Sequence, residues 1–116
     1  MPQGTLDVHL MNAKGLKNTE FFGKMDPYVI IQCKNQEKRS KVATSQGSKP
    51  VWNEKFVFRV TEGVTELKLT IMDKDTAVRD DFVGELRYGS HVCLTGSQDH
   101  KLTTLLGEGV DRGSPP

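Results

Sequence analysis

Apolar and polar side chains alternate every second residue along most of this chain. Leu6, Val8 and Leu10 interleave with Thr5, Asp7 and His9, the pattern of a strand with one face in a core and the other in water. The same alternation returns in "EKFVFRV", where Phe56, Phe58 and Val60 share a face opposite Lys55 and Arg59, and in "ELKLTIM", with Leu67, Leu69 and Ile71. "YVIIQC" is a richer apolar run opened by the turn-initiating pair Asp26-Pro27. "KRSKVAT" and "FVGEL" are two further strand candidates, and "NAKGLKN", "SQGSKP" and "TEGVT" are turn clusters. Helical spacing is hardly visible. Short strands separated by frequent turns predict an all-β antiparallel sandwich.

At 116 residues the chain is long enough for one domain with a single core. Its formal net charge of +1 places any electrostatic function in local segregation of charge. No apolar run reaches the roughly 18 residues of a membrane span, and "MPQGTLDVHL" lacks the pattern of a signal peptide. Cys33 and Cys93 are too few and too far apart for a disulfide framework or a zinc site. The expectation is a reduced, cytoplasmic protein. After Leu86 the strand signal weakens to "HVCL" and "KLTTLL". The expected domain is therefore 1–106, with 107–116 a disordered tail rich in Gly, Ser and Pro.

One stretch breaks the charge balance. "IMDKDTAVRDDF" places Asp73, Asp75, Asp80 and Asp81 within nine positions. Alternate loops of a sandwich gather at one end, so the loop "LKNTEFFGKMD" with Glu20 and Asp26 can lie beside this acidic loop. Several carboxylates on loops suit calcium, which takes six to eight hard oxygen ligands at variable geometry. An EF-hand fails, because a template begun at Asp73 meets Ala77 and Val78 where it needs Asn or Asp and then Gly. A solvated turn remains the plain alternative, since aspartate bonds well to its own backbone.

The motifs "MDPYVII", "KPVWNEKFVF", "LKLTIMDKD" and "DDFVGEL" follow one another as they do in a C2 domain, over roughly Gly4 to Leu86. The chain resembles the short stand-alone C2 proteins of plants, some of them described as elicitor-responsive. The resemblance implies an eight-stranded antiparallel β-sandwich, in the topology that starts at this first strand, and calcium-dependent attachment to phospholipid. It places calcium ligands on Asp26, Asp73, Asp75 and Asp81, with Glu20 where the family usually has Asp and Asp80 as an extra neighbour. Nothing after Leu106 matches the family's last strand.

Calcium would neutralise the acidic end and bridge it to an anionic membrane, where surface potential decays within a Debye length of roughly 8 Å. Phe21 and Phe22 beside Glu20, and Val78 in the acidic loop, are candidates to enter the headgroup boundary. A second surface is basic, with Lys34, Lys38, Arg39 and Lys41 in one stretch; the resemblance implies a phosphoinositide-binding strand there, and that or protein binding is the calcium-independent alternative. Trp52 reads as core, and Lys24 and Met25 carry no assignment. His9, His91 and His100 have no nucleophile or acid at recognisable spacing, so no enzyme is expected. No aromatic platform interleaves the basic residues, which argues against nucleic acid. A monomer is expected.

Overall fold

The computed structural model describes residues 3–17, 23–61, 63–75, 78–92 and 99–106. Within them seven strands follow in order: β1 (Gln3–Ala13), β2 (Pro27–Cys33), β3 (Gln36–Arg39), β4 (Val51–Thr61), β5 (Gly63–Asp73), β6 (Asp81–Val92) and β7 (Asp99–Leu106). They form two sheets, ordered β4-β1-β7 and β3-β2-β5-β6. Among the described residues no helix is long and apolar enough to cross a membrane.

The predicted alternation becomes the core. Leu6, Val8 and Leu10 from β1 and Phe58 and Val60 from β4 are buried against Val29, Ile31 and Cys33 of β2 and Leu67, Leu69 and Ile71 of β5. Each of these faces is apolar at every second position, as a half-buried pleated sheet requires. Cys33 is a free, buried thiol whose pKa is raised by burial, so it packs as a small apolar side chain. Trp52 joins the core and ties the two sheets together, its Nε1 donating to the Pro27 carbonyl at 3.1 Å.

Two local devices shape the edges. Ser40 follows the last residue of β3 and continues the pairing with β2, because its backbone N donates to Val29 O at 2.8 Å while its Oγ accepts from Val29 N at 2.8 Å. Gln36 uses its side-chain amide as if it were a strand. Its Nε2 donates to Arg59 O at 2.6 Å, and its Oε1 accepts from Arg59 N at 3.0 Å. This pairing joins β3 of one sheet to β4 of the other and occupies part of a strand edge that would otherwise be open.

The carboxyl-terminal half departs from expectation in detail. The two weak signals both form: "HVCL" contributes His91 and Val92 to a long β6, and "KLTTLL" lies within β7. β7 runs parallel to β1, pairing Thr5 with Asp99 through Ala13 with Leu106, whereas the other strand pairs described are antiparallel. The expected tail at 107–116 lies outside the described residues.

Candidate functional site at the acidic end

Strand register brings distant acidic residues to one end of the sandwich. Pro27 at the start of β2 pairs with Asp73 at the end of β5, and Asp73 pairs in turn with Asp81 at the start of β6. Asp26 therefore stands one residue beyond this row, and Asp75 two residues beyond it. The junction is fixed by two backbone donors: Asp26 N to Asp73 Oδ1 at 2.9 Å and Lys74 N to Asp26 O at 3.0 Å. Asp73 is only 1% exposed, and a buried carboxylate persists only with such hydrogen bonds.

The other aspartates differ in their surroundings. Asp26 Oδ1 accepts from Ser45 N at 2.7 Å, which ties segment 43–50 to the acidic end. Asp75 Oδ1 accepts from Val78 N at 3.2 Å and caps its own turn. Asp80 has three partners: Oδ2 accepts from the Tyr28 hydroxyl at 2.5 Å, Oδ1 accepts from Asp75 N at 2.9 Å, and Lys74 Nζ lies 3.8 Å from Oδ2. The Tyr28 bond, then the Asp75 amide, holds the Asp80 carboxyl below the usual carboxylate range. Burial, reinforced by Asp80, pushes the Tyr28 hydroxyl up to about 12. Asp81 is exposed.

Among the described residues, no three His, Cys, Asp or Glu side chains are grouped closely enough to hold a metal ion. The carboxylates of Asp26, Asp73, Asp75 and Asp80 accept from backbone amides, and that of Asp80 also from Tyr28. The donor chemistry nevertheless suits calcium, since every candidate ligand is a hard carboxylate oxygen carried on a strand end or loop. Glu20, Phe21 and Phe22 lie outside the described residues. Val78 is 69% exposed at the acidic loop.

The basic residues do not gather. Lys38 pairs with Ile31 and so shares its face, with Nζ 5.8 Å from the centroid of the Phe58 ring. Arg39 pairs with Ile30 and is turned to the opposite face, where its Nε lies 3.4 Å from Glu37. Lys41 is exposed beyond the end of β3. Lys34 stands at φ 54 in the turn between β2 and β3, beside Gln32, Glu66 and Lys68. Neighbouring cations are already matched by carboxylates, since Glu85 lies 3.6 Å from Lys68 and 3.0 Å from Arg87.

Sequence reasoning missed Tyr28 as a partner of the acidic loop. The local signal was an aromatic with a polar tip directly after Asp26-Pro27, on the same strand face as Ile30 and Gln32. It missed Ser45 as well, whose contribution is a backbone amide at φ 59 rather than a side chain.

A two-sheet β-sandwich with acidic loops gathered beyond β2, β5 and β6 defines the class. This chain belongs to the C2 domain family, whose profile matches residues 4–105. It is 53% identical over 85 residues to "Elicitor-responsive protein 3" of Oryza sativa subsp. japonica, covering 73% of this chain and 59% of the relative. It is equally 53% identical over 85 residues to "16 kDa phloem protein 2" of Arabidopsis thaliana, covering 73% and 58%. Among solved structures, the calcium-bound structure of two C2 domains of Extended-Synaptotagmin 2 is similar at 34% identity and a TM-score of 0.66, over 75% of this chain and 34% of that one. The matched region thus spans just under three fifths of those plant relatives' length.

Proposed function

We propose that this chain attaches to anionic phospholipid membranes in a calcium-dependent way. The observation that carries the reading is the register that puts Asp26, Asp73, Asp75 and Asp81 at the ends of three hydrogen-bonded strands. Those four residues, with Glu20 from the first loop, would hold the ion, and calcium would supply charge neutralisation and open coordination positions for lipid phosphate oxygens. Without the ion, the clustered carboxylates oppose contact between that end of the sandwich and an anionic surface. Asp80 belongs to the same end, but its oxygens are bonded to Tyr28, Asp75 and Lys74, so its part is to hold the loop. Exposed Val78, with Phe21 and Phe22, would enter the headgroup boundary.

The work done is recruitment rather than chemistry: a monomer in the cytoplasm moves to the membrane surface when calcium rises. Likeness to the calcium-bound structure of Extended-Synaptotagmin 2 C2 domains supports the reading. Sedimentation with phosphatidylserine vesicles tests it directly. Attachment should appear with added calcium and vanish with chelator. Equal attachment in both would contradict it.

A further inference from the structure

A cleft lies on the flank of the acidic end, where residues 23–24 of the first loop meet the segment before β4. It is lined by Gly23, Lys24, Gln46, Gly47, Ser48 and Lys49 and encloses about 260 Å³. That is below the roughly 300–1,000 Å³ of sites that take drug-sized ligands, and it suits one small group. Among the described residues no carboxylate lines it, and neither Lys24 nor Lys49 has an ion-pair partner.

The cleft is built rather than incidental. Segment 43–50 is fastened to the first loop by Gly47 N donating to Met25 O at 3.0 Å and by Leu16 N donating to Ser48 O at 3.3 Å. Met25, which the sequence left unassigned, is fully buried and anchors this side of the loop. Gly47 sits at φ +64, and a Cβ placed there would stand 3.6–3.7 Å from Cβ, Cγ and Cδ of Lys24. The aliphatic stem of Lys24 is therefore laid along the bare glycine backbone as far as Cδ. Gln46 Oε1 already accepts from Val51 N at 2.7 Å, leaving the NH₂ end to donate. Lys24, Lys49, Gln46 and Ser48, which between them carry two ammoniums, an amide NH₂ and a hydroxyl, are among the residues that line the space.

We propose that this cleft binds a phosphoryl group, as a phosphomonoester dianion, independently of calcium. Lysine serves phosphate as a point charge with several rotatable donors, and the site offers two with no competing acid among the residues described in its lining. The same chemistry fits a lipid phosphomonoester headgroup or a soluble phosphate compound. The proposal does not rest on the acidic end binding calcium, because every measurement below is made in excess chelator.

Two probes distinguish the sources: inorganic phosphate, followed by amide shifts of Gly47, Ser48 and Lys49 in NMR, and phosphatidylcholine vesicles with and without phosphatidic acid. Each is run on the wild type, on Lys24→Gln/Lys49→Gln, and on Lys55→Gln, an exposed control on β4. Both altered lysines are exposed, and thermal melting confirms that the fold survives. The expected result is saturable shifts at those amides, or attachment that requires phosphatidic acid, weakened at least about tenfold in the double variant and unchanged in the control. Response to both probes assigns a lipid phosphomonoester, as does response to the vesicles alone. Response to inorganic phosphate alone assigns a soluble ligand. No response to either probe, or a response equal in wild type and double variant, overturns the proposal.

Discussion

The Tyr28 hydroxyl donates to Asp80 at 2.5 Å across fifty-two positions of sequence. It joins the outer face of β2 to the loop between β5 and β6, and Asp80 passes the constraint on by accepting from Asp75 N at 2.9 Å. One carboxylate thus fixes the backbone at Asp75, a candidate calcium ligand. Tyr28→Phe should leave the sandwich intact and loosen the acidic loop. Amide exchange at Asp75 should accelerate, and the Asp80 carboxyl should titrate closer to the ordinary carboxylate value. Unchanged exchange and titration would show that the bond holds nothing in place.

The same pair sets a pH window. The folded-state pKa of Asp80 is lowered, so its contribution is present above the unfolded carboxylate value near 4 and is lost as pH falls through the lowered value. That of Tyr28 is raised to about 12, so its contribution is complete below the unfolded value near 10 and is lost as pH rises toward about 12. Urea midpoints should be level between roughly pH 5 and 9 and decline on both sides. In Tyr28→Phe the alkaline decline due to this hydroxyl should be absent.

Trp52 carries one bond between the sheets, from Nε1 to Pro27 O, a carbonyl that also accepts from Ala43 N at 2.8 Å. Trp52→Phe removes one of these two donors and takes ring volume out of the core, which should cost about 2 kcal/mol. Urea denaturation followed by circular dichroism measures it. A cost near zero would mean that Ala43 N alone satisfies the carbonyl and that the core closes over the lost volume.

Gln36 covers the edge of β4 by pairing both backbone groups of Arg59. Gln36→Ala should cost about 1 kcal/mol and expose a site for strand addition, seen as faster exchange at the Arg59 amide and a rise in apparent mass at high concentration. Identical exchange in the two proteins would show the edge protected by other means.

The strands were legible because their signal is local. Leu6, Val8 and Leu10 announce a buried face by spacing alone, and all three are buried in the core. The motifs around Asp26, Asp73 and Asp81 likewise indicated which loops meet, and the register of β2, β5 and β6 puts those residues at one end. What stayed illegible depends on contacts between distant segments. Nothing near Asp80 indicates that Tyr28 will take its oxygen. The direction of β7 could not be read either, since "KLTTLL" is equally compatible with parallel or antiparallel pairing to β1.

The most direct measurement is calorimetric titration of calcium into the wild type and into Asp75→Asn, repeated with phosphatidylserine vesicles present. Asn keeps an oxygen to accept from Val78 N, so the turn at 75–78 survives while one negative charge is lost. A calcium switch at the acidic end predicts saturable heat in the micromolar to sub-millimolar range, strengthened by the vesicles, with both heat and attachment abolished by Asp75→Asn. No heat up to millimolar calcium, with vesicle attachment retained in both proteins, would contradict it.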